Sequence, residues 1–282
     1  MIPEPGIEPL RTFWEALTRA SRRILFLDYD GTLAPFRLDR ERAFPYPGVA
    51  SWIDDVRSRA RTRVVIVTGR PGREIPPLLG LDPPPEIRGS HGLECLFPDG
   101  RSMTYPLDGA IQDALDRAAL WVEARGWGGR IERKPGAVGL HLRGVPEDEA
   151  AEMEAETSKA WSRLLGGRFA ERGGIALLAF EKGLELRQTL RTKRDAVADV
   201  LSEETGPVAT AYLGDDVTDE DAFCELEGKG PAVLVRTEWR PTAARYWLRP
   251  PGDLLDFLQQ WSAVCSDHPG SPVSEPRREG RP

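Results

Sequence analysis

The chain has 282 residues, 40% of them hydrophobic and 29% charged, a balance that builds one large or two modest globular domains and excludes a disordered chain. A formal net charge of −7 argues against nucleic acid as a partner and means that an anionic substrate must be met by individually placed cations. No apolar run nears the roughly 20 residues of a membrane span, residues 1–10 lack the basic-then-apolar pattern of a signal peptide, and Cys95, Cys224 and Cys265 form no CxxC pair, so a cytoplasmic chain without zinc or disulfides is expected.

Residues 23–28 (RILFLD) are a short apolar run closed by acid, the pattern of a buried parallel strand. Residues 49–59 have helical spacing, with Val49, Ile53 and Val56 on one face. A second buried strand, 63–67 (RVVIV), ends in Thr68-Gly69-Arg70, and Pro71 suits the first turn of a helix. Residues 86–89 read as a third strand, and such alternation implies a parallel sheet flanked by helices. From about Tyr105 the texture changes. A long amphipathic helix over 108–125 precedes a hairpin, 130–134 and 138–143, around Pro135-Gly136; a second long helix over 146–165 precedes strands at 174–180 and 184–187. This is an α+β unit, placed at 105–182, inserted between two parts of an α/β domain, 1–104 and 183–265. The α/β alternation resumes with a helix at 192–203, a strand at 208–214, a helix at 219–226, a strand at 232–236 and a helix at 254–262. The tail, 266–282, is rich in Pro, Ser, Gly and Arg and is expected to be disordered.

Four stretches carry candidate chemistry. In LFLDYDGTL, residues 25–33, Asp28 and Asp30 follow a buried strand, and ligands in open α/β sheets bind at the carboxyl ends of strands. Residues i and i+2 of an extended chain point the same way, so both carboxylates can reach one cavity. One can attack phosphorus while the other handles a proton, which splits ester hydrolysis into two easier displacements. Taken alone, the stretch also reads as a solvated acidic turn. In YLGDDVTDEDAF, residues 212–223, an apolar strand ends in Asp215, Asp216, Asp219, Glu220 and Asp221. Carboxylates this close repel one another unless a cation such as Mg²⁺, which takes oxygen ligands, sits among them. Acids at a helix N-terminus are the alternative for Asp219, Glu220 and Asp221, but not for Asp215 and Asp216, which precede the helix. Thr68-Gly69-Arg70 can offer a hydroxyl and backbone N–H groups to a phosphoryl oxygen, or simply cap a strand-to-helix turn. Lys193 is one of only five lysines and sits near a helix start, where a cation opposes the dipole. Neutralising a nucleophile and a phosphoryl group would account for it; an ordinary exposed lysine is the alternative.

The order DxDGT, a strand ending in Thr or Ser, a lysine, then GDDxxD resembles the haloacid dehalogenase superfamily of phosphohydrolases, and the insertion resembles that superfamily's type 2 α/β cap. Within it, FLDYDGTLAPF, VIVTGR, GSHGLE and YLGDDVTDEDAF, with IERKPGAVGLHLR and EKGLELR in the insertion, are similar to the trehalose-6-phosphate phosphatase family over about residues 23–258. The resemblance implies a Rossmann-like core with an inserted α+β cap and Mg²⁺-dependent hydrolysis of trehalose 6-phosphate through an aspartyl-phosphate. Asp28 would be the nucleophile, and Asp30 would protonate the leaving oxygen and then activate water. Asp28, the Asp30 carbonyl and Asp215 would bind Mg²⁺, and Asp216 and Asp219 would hold its waters. Thr68 and Lys193 would grip the phosphoryl group, with Gly69, Arg70 and His91 also in the substrate-binding set. Glu132, Lys134, Arg143, Glu181 and Glu185 would contact sugar hydroxyls, since charged groups suit hydroxyls that both donate and accept. Surface salt pairing is the alternative for these cap residues, and a structural role is the alternative for His91 and His141. The chain departs from the family in reading Arg187-Gln188 where the family has Arg-Pro, and Arg194-Asp195 where glycine follows the lysine. A monomer acting on a small sugar phosphate, with no nucleic acid or membrane partner, is the expectation. Competing readings are a phosphatase for sucrose phosphate or a glucosyl-glycerate phosphate, a phosphotransferase, and a non-catalytic sugar-phosphate sensor.

Overall fold

The computed structural model describes residues 2–37, 39–166, 169, 173–180 and 182–266; the expected disordered tail therefore lies, from residue 267 on, outside the described residues. The apolar run RILFL becomes β1 (Arg23–Leu27), near the middle of an eight-stranded sheet. Parallel pairing joins it to β2 (Arg63–Val67) and β10 (Ala209–Gly214), and then to β3 (Glu86–Gly89), β11 (Ala232–Val235) and β12 (Tyr246–Leu248). Two short antiparallel strands, β4 (Glu94–Leu96) and β5 (Ser102–Thr104), extend one edge.

Side chains alternate across a strand, and here both faces are covered. Leu25 and Leu27 join one core with α1 (Arg11–Arg19), α2 (Val49–Ser58), α3 (Ile75–Leu79) and α8 (Gly252–Ser266), through Trp14, Ile53, Phe257 and Trp261. Ile24 and Phe26 join the opposite core with Val197 and Val200 of α6 (Lys193–Ser202) and Phe223 of α7 (Glu220–Glu225). Burying each such side chain is worth about 1.5–3 kcal/mol, which is why the central strands carry continuous apolar runs. The helix expected from Pro71 is shorter than its sequence suggests: a 3-10 turn at Gly72–Glu74 leads into α3, which Gly80 closes at φ +70°.

The second sheet is antiparallel, in the order β6 (Ile131–Lys134), β7 (Ala137–His141), β9 (Gly183–Gln188), β8 (Ile175–Phe180). Val138, Leu140, Leu184 and Leu186 pack on α4 (Gly109–Glu123) and α5 (Glu147–Leu164). The alternation therefore puts Glu132, Lys134, His141, Glu185 and Arg187 together on the opposite, polar face. β9 is an inner strand of this sheet, paired on both sides, so the division expected after residue 182 falls between two hydrogen-bonded strands, and the sheet runs on to Gln188.

The chain crosses between the sheets at Tyr105 and again at 189–192, and the two crossings are fastened together. Arg191 stacks 3.4 Å from the centre of the Tyr105 ring and pairs with Asp199 of α6, which also accepts from the Tyr105 hydroxyl at 2.7 Å. Gln188 holds the Arg191 backbone at both its N–H and its carbonyl. Proline at 188, as in the family pattern, has no side chain able to make either bond.

Candidate active site

Parallel register brings three strand ends level. Leu27 lies opposite both Leu213 and Ile66, so Asp28, Thr68 and Asp215 emerge at the same, carboxyl-terminal edge of adjacent strands. Lys193 arrives from α6, whose start is fixed by a capping box: Thr192 accepts from the first turn, and Asp195 accepts from the Thr192 N–H at 2.7 Å. The ammonium of Lys193 donates to Asp28 Oδ1 and Asp219 Oδ1, each at 2.7 Å, and is buried with them. A cation near a helix start opposes the dipole, and the two carboxylates account for it. Burial alone would lower the Lys193 pKa, but Asp219 and Asp28 outweigh burial and hold it above its ordinary value.

Oxygen atoms of Asp28, Asp215 and Asp219 all lie within 4.8 Å of one another. Asp219 is saturated. Its Oδ1 accepts from Lys193 and from the Tyr212 hydroxyl at 2.6 Å, while its Oδ2 accepts the backbone N–H groups of Asp215 at 3.2 Å and Asp216 at 3.0 Å. Asp215 is the opposite case: buried, with Oδ1 lacking any hydrogen-bond partner among the described residues. Burial first, then the charges of Asp28 and Asp219, push the Asp215 pKa far up; burial and Asp219 likewise push Asp28 up to about 7, against the pull of Lys193. An unpartnered buried carboxylate oxygen among three acids and one ammonium fits a cation of two charges, and hard cations of that kind take oxygen donors. Gly31 makes room for this: at φ +82°, a Cβ there would sit 2.1 Å from Asp215 Oδ2. Asp216 is exposed and serves as N-cap of the turn Val217–Asp219; it lies outside the acidic cluster.

Asp30 and Arg70 form a unit of their own. Arg70 Nε and Nη2 donate to the two Asp30 oxygens at 2.6 and 2.7 Å, a bidentate fork. The structure thus places Arg70 on the second aspartate of DxD. Thr68 is buried, and its Oγ accepts from the Arg70 N–H at 3.1 Å. His91 stands over Gly69, where a Cβ would come within 2.7 Å of the imidazole. Burial, then Arg187, Lys193 and Lys134, hold the His91 pKa well below its usual value, so the ring is neutral. Arg187 Nη1, which can only donate, lies 3.1 Å from His91 Nε2, so that nitrogen accepts and the proton resides on Nδ1.

On the polar face of the second sheet, Lys134 pairs with Glu185 at 2.5 Å, and Glu132 pairs with His141 at 2.9 Å. Glu132 and Glu185 flank Gly139, which presents no side chain between them. Arg143 is exposed just past β7, and Glu181 lies outside the described residues. Burial would raise the Glu132 pKa, but the His141 hydrogen bond and the charges of Lys134 and Arg40 outweigh it and bring it down to about 2. A carboxylate shifted down from 4.5 adds stability above that pH, and loses it as pH falls toward 2. Glu132→Gln is therefore expected to flatten the decline of melting temperature across this window; a decline as steep as the parent's would refute the assignment.

The family model described as trehalose-phosphatase matches residues 26–250. This chain belongs to the trehalose-phosphatase family. It is 29% identical to the trehalose-phosphate phosphatase of Mycobacterium marinum, over 87% of this chain and 63% of that protein, so it spans a little under two-thirds of that relative's length. Among solved structures, the C-terminal domain of C. albicans trehalose-6-phosphate phosphatase superposes with a TM-score of 0.72 at 20% identity, covering 93% of this chain and 98% of that one. A haloacid dehalogenase-like hydrolase from B. subtilis superposes at 0.58 and 12% identity, covering 84% and 99%. These two likenesses establish the fold, that of the haloacid dehalogenase-like hydrolases. Among the described residues, no helix is long and apolar enough to cross a membrane.

Sequence reasoning passed over three contributors to the site. Tyr212 and Arg187 lie inside motifs: Tyr212 reads as an apolar strand residue until the turn after its strand brings Asp219 to its hydroxyl, and the partner of Arg187, His91, is distant in sequence. Arg40 lies in no motif at all, although its guanidinium reaches Glu132 at 2.5 Å.

Proposed function

We propose that this chain hydrolyses trehalose 6-phosphate to trehalose and phosphate, using Mg²⁺ and an aspartyl-phosphate on Asp28. The observation that carries this reading is a buried Asp28 held by Lys193 beside the unpartnered Oδ1 of Asp215, with the paired charges of the second sheet facing out from their own core. Mg²⁺, held by Asp28, Asp215 and the Asp30 carbonyl, would neutralise phosphoryl charge and align it for attack.

Asp28 attacks phosphorus with one carboxylate oxygen, and the ester bond to the sugar oxygen breaks. That oxygen takes a proton from Asp30 and leaves as a sugar hydroxyl. Asp30 then takes a proton from water, whose oxygen attacks phosphorus; the acyl-phosphate bond breaks, and Asp28 is regenerated with inorganic phosphate. Both Asp30 oxygens are held by Arg70, so the sugar oxygen must displace one of those bonds. Lys193 and Thr68 meet the charge on the transferring group. The second sheet acts as the cap, with Lys134 and Glu185 exchanging their mutual pair, and Glu132 its His141 contact, for sugar hydroxyls, and closure excludes bulk water.

Phosphate release from trehalose 6-phosphate, sucrose 6-phosphate and glucose 6-phosphate with Mg²⁺ tests the reading. Marked preference for the first is expected; preference for another would discard the substrate and keep the chemistry. The metal has a test of its own. Mg²⁺ at a hundredfold excess over its Kd is expected to stabilise the fold by about 2.7 kcal/mol, seen as a raised melting temperature, and Asp215→Asn to abolish most of that rise. An undiminished rise in this variant would place the ion elsewhere.

A further inference from the structure

The two sheets are joined at the site by Arg40. It opens a 3-10 turn, Arg40–Arg42, in the loop between β1 and α2, where the Asp39 carboxylate accepts the Glu41 N–H at 3.1 Å. The guanidinium reaches across to the second sheet, from Nη1 to Glu132 Oε1 at 2.5 Å, while Nη2 lies 3.8 Å from Glu74. The Arg40 carbonyl accepts from Arg70 Nη1 at 2.9 Å. Arg70 turns its other two nitrogens, Nε and Nη2, on Asp30. One residue therefore touches the cap carboxylate with its side chain and, with its main chain, the guanidinium that holds Asp30. The Arg40 and Glu132 side chains are 34% and 22% exposed. In so partly screened a pair Arg40 is a lesser contributor to the charge balance of Glu132 than His141 and Lys134, and its chief consequence is geometric.

We infer that Arg40 is a positioning residue that ties the cap to the acid/base. It fixes Glu132 above the Arg70–Asp30 unit, so that a sugar held by Glu132 presents its ester oxygen to Asp30. This rests on the phosphatase reading above. The same link makes the cap's grip on the sugar depend on a core loop, since a cap that swings away must break the Arg40–Glu132 pair.

The test compares kcat/KM for trehalose 6-phosphate and for p-nitrophenyl phosphate in the parent protein, Arg40→Ala and Arg40→Lys. The aryl ester offers no sugar to Glu132, and its leaving group departs without needing a proton, so it reports phosphoryl transfer without the cap. Arg40→Ala is expected to lower the ratio of the two constants by about tenfold, at the low end of what misplacement costs. Lysine should recover part of the loss, since it keeps the charge but not the planar fork. In a Glu132→Gln background, Arg40→Ala should add less than about twofold, because the partner through which it acts is already altered. Equal loss on both substrates, an unchanged ratio, or losses that multiply in the double variant would each overturn the inference. Amide hydrogen exchange over residues 131–134 needs no turnover: faster exchange in Arg40→Ala is expected, and unchanged exchange overturns the link. Should the parent protein prefer another sugar phosphate, the substrate assignment fails, and the ratio measured with that sugar decides the role of Arg40.

Discussion

Asp28→Asn is expected to lower phosphate release by at least about 10⁴-fold, the scale on which removal of a nucleophile acts in enzymes whose groups work as a unit. An amide oxygen is too weak a nucleophile to form the phosphoryl-enzyme, and the neighbouring carboxylates are committed elsewhere. Asp215 is assigned to the metal in the reading above. Asp219 has both oxygens occupied, and Asp30 is held in the Arg70 fork. The fold should survive. Burial first, and then the charge of Asp219, push the Asp28 pKa up to about 7, so a neutral side chain of the same shape relieves both. The variant's metal-free melting temperature is therefore expected to equal or exceed the parent's. Turnover within tenfold of the parent would refute the covalent mechanism, and loss of turnover together with loss of fold would refute this account of the charge balance.

The parallel core was legible because its strands are buried on both faces. RILFL and RVVIV have no polar face to blur the pattern, and the acid or hydroxyl residue after each run marks where the strand leaves the sheet. The edges lack that signal. β5 is exposed along its whole length, and β4 and β5 are three residues each, so backbone pairing rather than side-chain pattern defines them. β9 shows another limit. The alternation of Leu184 and Leu186 with Glu185 and Arg187 identifies a strand, but that it is an inner strand of the second sheet depends on β7, far back in the chain, as well as on the adjacent β8.

The site divides in the same way. Acidic clustering in GDDVTDED pointed to a cation, but identical side chains there do different jobs. The turn Val217–Asp219 rotates Asp219 inward to collect two backbone N–H groups, a tyrosine and a lysine, and leaves Asp216 outside as a cap. Composition does not encode that rotation. Arg37, Arg40 and Arg42 likewise look alike in a basic loop, and only the approach of β6 selects Arg40.

Lys193→Met is expected to have the other large effect, on stability and on turnover together. Methionine keeps the apolar stem and its volume, so little cavity forms, and the change is chiefly the loss of one buried charge. Its two partners, Asp28 and Asp219, are buried as deeply as the lysine. Removing one member of such a group costs about 3–5 kcal/mol, because it strands the charges that remain. Urea unfolding without metal should show a loss of that size. With the ammonium gone, Asp28 loses the one force that lowers its pKa, so it takes up a proton more readily and the cost should shrink at acid pH. Added Mg²⁺ should restore part of the stability, because it returns positive charge to the cluster. It should not restore turnover, which is expected to stay down by about 10³-fold, the loss typical of removing a preorganised donor from developing charge. Recovery of both by Mg²⁺ would show that Lys193 serves only to balance charge. Recovery of stability alone would show that the ammonium, placed 2.7 Å from the nucleophile, also acts on the group being transferred.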